Sequence, residues 1–137
     1  SLKKLITKME VENFVVFHGF VSREELINAQ NSAMLCLLLK RDMPFNRFNF
    51  PTKLLDYLSA RKPILVSNLP LHQKLFSDKV DALIVDPESS AEIIVALSWA
   101  IDNPVTLASF GENSSSKLFS KFDAKSNVEK MLENFNL

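Results

Sequence analysis

Between Phe50 and Ser67 the chain reads FPTKLLDYLSARKPILVS, and this stretch restricts the possible folds more than any other. Pro51 and Thr52 suit the opening of a helix, because a proline in the first turn lacks only an N–H that would have had no partner there. Pro63 closes that helix, since the residue before a proline is disfavoured in the α region. Ile64 to Val66 then reads as a buried strand. The unit is loop, helix, strand. Leu54, Leu55 and Leu58 share one helix face, and Thr52, Asp56 and Ser59 lie at three- and four-residue spacings on the other. The helix start offers unpaired N–H groups and the positive end of a dipole, a setting in which a phosphate is stabilised.

The flanking sequence repeats this alternation. Leu2, Leu5, Ile6 and Met9 recur at helical spacing, with Lys3, Lys4 and Lys8 on the other side. Asn13 ends that pattern, and the apolar, β-branched run Phe14 to Phe17 predicts a strand. Ser22 and Glu25 form a capping box for a helix to about Ser32. Ala33 to Leu39 is an uninterrupted apolar run of strand length, as for a parallel strand covered on both faces. Lys40 to Asn49, KRDMPFNRFN, predicts a connecting loop. A helix is expected over Leu71 to Asp78 and a last strand over Ala82 to Val85. Ser89 and Glu92 repeat the capping-box pattern ahead of a helix to about Asn103, with Ile93, Ile94, Leu97 and Ile101 inward. Two further helices, Val105 to Phe122 and Ala124 to Phe135, complete the chain. Four strands alternating with helices predict an α/β domain: a Rossmann-like parallel sheet flanked by helices, with right-handed connections.

Composition narrows the function. With 137 residues the chain fits one domain. Sixteen basic and sixteen acidic residues cancel, so an anionic ligand must be held by a local site rather than by the overall field. A single-strand nucleic-acid binder using Arg41, Phe45, Arg47 and Phe48 would need a broad positive surface, and that charge balance argues against it. No apolar run approaches the ~18 residues of a membrane span. The lone Cys36 lies inside the run Ala33 to Leu39 and reads as a core residue of a reducing compartment. Two histidines and one cysteine at no ligand spacing predict no metal site. Gly19 and Gly111 are the two glycines, so the glycine-rich first turn of a dinucleotide-binding fold is absent, as are a Walker loop and a Gly-x-Ser-x-Gly elbow.

FPTKLLDYLSARKPI resembles the "P-x-K-L-x-E-Y-L-A-x-G-K-P-V" segment of retaining nucleotide-sugar glycosyltransferases of the GT-B fold, the group that includes glycogen and sucrose-phosphate synthases. NFVVFHGFVSREEL resembles that family's "N-V-x-F-x-G-x-V-x-x-x-E-L", and DALIVDPESSAEIIVAL its "G-L-L-V-x-P-x-D-x-x-x-L-A-x-A-I". The three segments cover about Asn13 to Ile101, in the family's order. The resemblance implies the carboxyl-terminal, donor-binding domain of a larger two-domain enzyme. The first strands, a basic pair and the acceptor-binding half would then precede this chain, which alone would be inactive. Exposed sheet edges would invite a homo-oligomer. The implied reaction moves a sugar from a nucleoside-diphosphate sugar to a glycan or lipid-linked acceptor with retention, without a cofactor or metal. It would take place in the cytoplasm or at the inner face of the membrane, in polysaccharide biosynthesis.

By that resemblance Asp56 accepts hydrogen bonds from the ribose hydroxyls, and Pro51, Thr52 and Lys53 flank the diphosphate. His18 and Gly19 lie near the base. Each also has a plain structural reading: Asp56 as a solvated acid, Thr52 as a cap, Lys53 as a solvated side chain, His18 as a strand-end histidine, and His72 as a surface residue. The family's second acid, eight positions before Asp56, is Phe48 here. Arg61 and Ala82 stand where the family has glycines, which predicts that both tight turns are built differently. The alternative function is a non-catalytic α/β binding or interaction module that uses the loop Lys40 to Asn49.

Overall fold

The computed structural model describes residues 2–122. Helix α1 spans Leu2–Lys8, and a turn of 3-10 helix covers Glu12–Phe14. Helix α2 (Arg23–Ser32) leads into strand β1 (Cys36–Leu38), followed by a short helix α3 (Pro44–Phe48) and helix α4 (Thr52–Ser59). Strand β2 (Ile64–Ser67), helix α5 (Pro70–Leu75), strand β3 (Leu83–Val85), helix α6 (Ser90–Asp102) and helix α7 (Pro104–Phe122) complete the order. The sheet is parallel throughout, in the order β1-β2-β3, with Leu37 opposite Leu65 and Val66 opposite Ile84.

Alternation along the strands divides the core into two layers. Cys36, Leu38, Ile64 and Val66 pack with Leu54 and Leu58 of α4 and with Leu118 of α7. Leu65, Leu83 and Val85 pack with Ala96 and Ala100 of α6 and with Leu107 and Phe110 of α7, where Phe110 stacks on Trp99 at 5.6 Å. Both faces of the sheet are thereby covered, the usual condition for a parallel sheet. Burial pushes the Cys36 thiol up, against a smaller opposing pull from Lys62. The expected core cysteine is in place.

Several expectations are corrected. Phe14 to Phe17 forms no strand. Among the described residues nothing pairs with it, and Phe14 and Val16 are exposed, because a strand exists only where another strand satisfies its backbone. The loop Lys40 to Asn49 contains α3, started by Pro44 in its first turn. Leu55 is exposed while Leu54 and Leu58 are buried, so the inward stripe of α4 is narrower than the leucines suggest. On α6, Ile94 and Ile101 face outward, and Ala96 and Ala100 take the buried positions beside half-buried Ile93 and Leu97. His72 is buried rather than on the surface. The helix expected over Ala124 to Phe135 lies outside the described residues.

The turn after α4 also departs from expectation. Lys62 N–H donates to the Tyr57 carbonyl (3.0 Å) and Arg61 N–H to the Leu58 carbonyl (3.0 Å), the two bonds of a Schellman motif. Arg61 itself holds the left-handed position, at φ 51°, so the turn keeps the geometry a glycine would give and carries a side chain there. That side chain pairs with Glu112 of α7 at 3.0 Å. Near Ala82 the left-handed residue is Lys79, at φ 56°.

Candidate functional site

Parallel strands end together, and ligands in open α/β sheets collect outside those ends. Here the carboxyl end of β1 and the start of α4 enclose a cleft of about 570 Å3, lined by Leu37 to Lys40, Asn49 to Lys53, and Tyr57. Pro51 precedes the first turn of α4, so the opening amides of that helix, which have no partner within the helix, belong to the cleft wall. Lys40 and Lys53 line it, and no carboxylate does. Neither lysine makes an ion pair among the described residues. Two lysines without an ion pair among the described residues, a helix N-terminus and Thr52 thus line one space in a chain of zero net charge.

The position of Lys40 is fixed from beneath. Its N–H donates to Ser67 Oγ at 2.6 Å, where β2 ends. The Ser67 carbonyl in turn lies 2.8 Å from His72 Nδ1. A carbonyl only accepts, so Nδ1 carries the proton. Burial lowers the His72 pKa, the bond to Ser67 opposes this, and the nearby Lys40 charge adds to the lowering. His72 is therefore a neutral positioning group below the cleft floor.

Asp56 lies one turn along α4 from Thr52 and lines a neighbouring groove of about 230 Å3 with Leu26, Ala29 and Cys36. Lys53 and Tyr57 line both spaces, so cleft and groove run together along one side of α4. Burial raises the Tyr57 pKa, with smaller contributions from Cys36 and Asp56, which keeps the phenol a donor. Pro51, Thr52 and Lys53 are thus brought together, with Asp56 adjacent. His18 and Gly19 are not among the residues lining the cleft. They sit on the exposed segment before α2, with Gly19 at φ 65°. Lys40, Asn49 and Tyr57 escaped individual notice in the sequence, although Lys40 has the signal of a polar residue ending an apolar strand. Among the described residues no three His, Cys, Asp or Glu side chains are placed to hold a metal ion.

The family model for glycosyl transferases group 1 matches residues 1–117. The chain belongs to that family. Among curated proteins nothing matches it. Among solved structures, Anabaena HepE in complex with UDP superposes with a TM-score of 0.76 at 18% identity, over 98% of this chain and 35% of that one. HepE in complex with UDP-glucose gives 0.77 at 18% identity. Sucrose-phosphate synthase from Thermosynechococcus elongatus gives 0.78 at 16% identity, over 98% of this chain and 33% of that one. The fold is that of the carboxyl-terminal domain of GT-B glycosyltransferases. The chain spans about a third of the length of the structures it matches. In this glycosyltransferase family domain the cleft sits at the carboxyl end of β1 and the start of α4, and the groove runs on between α2 and α4.

Proposed function

We propose that this chain is the donor-binding part of a glycosyltransferase that takes a sugar from a nucleoside-diphosphate sugar. The cleft between the end of β1 and the start of α4 carries the reading, because it gathers cationic and N–H groups without a carboxylate. Sugar transfer releases a diphosphate, and fixed positive charge and amides aimed at the developing anion stabilise it. Lys40, Lys53 and the first amides of α4 supply these groups. Asp56, along the same side of the helix, offers two acceptor oxygens to a ribose diol. The UDP and UDP-glucose complexes of HepE support uridine diphosphate as the first nucleotide to test. A glycan or lipid-linked acceptor would be held by parts of the enzyme beyond this chain.

Calorimetric titration with UDP, GDP and ADP tests the proposal. One nucleotide should bind selectively, and Lys53→Ala and Asp56→Ala should each weaken it about tenfold, the loss expected for one charge-assisted contact worth roughly 1.5 kcal/mol. Binding unchanged by both substitutions, or no binding by any nucleotide, would overturn it.

A second reading rests on one observation. Phe48 replaces the family's usual acid, and the loop that carries it is closed on itself by the Asp42–Arg47 pair at 2.6 Å and tied at its start by Arg41 to Glu88 at 3.3 Å, leaving Phe45 exposed. A loop held so is suited to a protein partner. Failure of all three nucleotides would favour it.

A further inference from the structure

Strands β1 and β2 part at one rung. Cys36 N–H donates to the Pro63 carbonyl at 2.9 Å, and the register pairs Cys36 with Ile64 and Leu38 with Val66. A parallel ladder carried two residues further would give the Lys40 N–H to the Ser67 carbonyl. The Lys40 N–H goes instead to Ser67 Oγ, at 2.6 Å. The carbonyl is already taken: Leu69 N–H and His72 Nδ1–H each donate to it at 2.8 Å, and its two lone pairs leave no place for a third donor. A side-chain hydroxyl thus stands in for the last rung of the ladder.

Ser67 is well suited to hold that rung. It is fully buried, and Asn68 next to it donates its N–H to the Val85 carbonyl at 2.9 Å, so the end of β2 is tied to β3 on one side and to α5 through His72. Strand alternation puts Lys40 on the face of Cys36 and Leu38, which α4 covers, and the Ser67 side chain on the opposite face with Leu65. The hydroxyl therefore engages the Lys40 backbone and not its ammonium. Lys40 lines the cleft beside Thr52 and Lys53, and it makes no ion pair among the described residues. An acid bonded to the ammonium would hold it in place but neutralise it. A bond to the amide fixes where the side chain starts and keeps the charge for a ligand.

We infer that Ser67 is a positioning residue for the diphosphate, its hydroxyl setting the point from which Lys40 reaches the phosphoryl oxygens. The inference rests on the nucleotide reading and adds to it a residue that touches no ligand, since Ser67 is buried and is not part of the cleft lining. The lysine stem is flexible and recovers part of any shift at its base, so losing the hydroxyl costs less affinity than losing the ammonium.

Calorimetric titration of the whole chain with UDP, GDP and ADP tests this. The nucleotide that binds the wild type should bind Lys40→Ala about tenfold more weakly and Ser67→Ala about fivefold more weakly, the equivalent of one net hydrogen bond. The double variant should bind no more weakly than Lys40→Ala, because a displaced anchor matters only while it carries the ammonium; a purely structural Ser67 would give losses that multiply. Ser67→Thr keeps the acceptor oxygen and should restore binding. Ser67→Cys, close in size but a poor acceptor, should match Ser67→Ala and takes its place if the alanine variant does not fold. Without ligand, amide hydrogen exchange at Lys40 should be slow in the wild type and Ser67→Thr and faster in Ser67→Cys. Wild-type affinity in Ser67→Ala or Ser67→Cys, losses that multiply, or equal Lys40 exchange in the wild type and Ser67→Cys would overturn this inference and leave the nucleotide reading standing. No binding of any of the three nucleotides by the wild type would overturn that reading, and this inference with it.

Discussion

Single residues decide how closely the elements approach. A Cβ added at Gly111 of α7 would stand 2.1 Å from the Arg61 carbonyl oxygen and 2.9 Å from the Lys62 carbonyl carbon. Alanine favours a helix over glycine by about 1 kcal/mol, but the obstacle is backbone and cannot rotate away. Gly111→Ala should therefore destabilise by about 2–3 kcal/mol as α7 is displaced, read as a lower urea midpoint at unchanged slope. His72 gives a pH signature. Its pKa is lowered from 6.5 in the folded state, so the unfolded chain binds the proton more readily. The stability it contributes is complete above about pH 6.5 and is lost as pH falls below that value, at up to ~1.4 kcal/mol per unit. His72→Asn keeps an N–H for the Ser67 carbonyl and does not titrate. Its stability, whatever the absolute value, should fall less steeply between pH 6.5 and 5 in chemical denaturation. Neither role was visible in the sequence: a histidine near a helix start reads as surface, and burial is set by the strands that close over it.

Among the elements, those fixed by local chemistry were legible. The Ser22 and Glu25 capping box forms with both bonds, at 3.2 and 2.8 Å, and the prolines at Pro70 and Pro104 open helices where the sequence expects them, whereas the helix opened by Pro44 was not expected. Ser89 caps α6 at 3.2 Å, but Glu92 reaches Asp86 instead of closing a second box. The inward face of α6 was misread because size was taken for burial; the alanines let the helix sit close to the sheet, and the larger Ile94 and Ile101 are left outside. Tertiary ties between elements left no local trace. Asp81, with a side chain 4% exposed, accepts from Ser77 N–H and from Lys117 of α7, whose side chain is 34% exposed. This ion pair fastens α7 to the turn that precedes β3. Lys117→Met strands a buried carboxylate, a loss of about 2–3 kcal/mol after allowance for the partly open lysine. Adding Asp81→Asn should recover part of it, a coupling that a double-mutant cycle of unfolding free energies would measure. Strict additivity of the two substitutions would mean that the pair does not hold the helix.

At the scale of the whole molecule, stability is unevenly distributed, and this explains why the fold class was legible while the strand count was not. Apolar runs announce strands, yet a run becomes a strand only when neighbours accept its hydrogen bonds. Ala33 to Leu39 and Ile64 to Ser67 find them, and Leu65 and Val66 are fully buried at the centre of the sheet. Phe14 to Phe17, of similar composition, finds none: its neighbourhood is a satellite in which Ile6 is the one buried residue of α1 and Lys3 lies over the Phe17 ring at 5.6 Å. From Val16 to Val21 no backbone N–H meets a protein acceptor among the described residues, and Phe20 is fully exposed. Local opening free energy follows such differences, from near zero where amides face water to the global value in core strands. Hydrogen exchange of the native chain should therefore show the amides of Val16 to Phe20 exchanging close to the rate of an unfolded peptide. Those of Leu65 and Val66 should exchange only through global unfolding and should slow further in any condition that raises the unfolding free energy. Protection at Val16 and Phe17 comparable to that in β2 would mean that this segment does pair with a strand in solution.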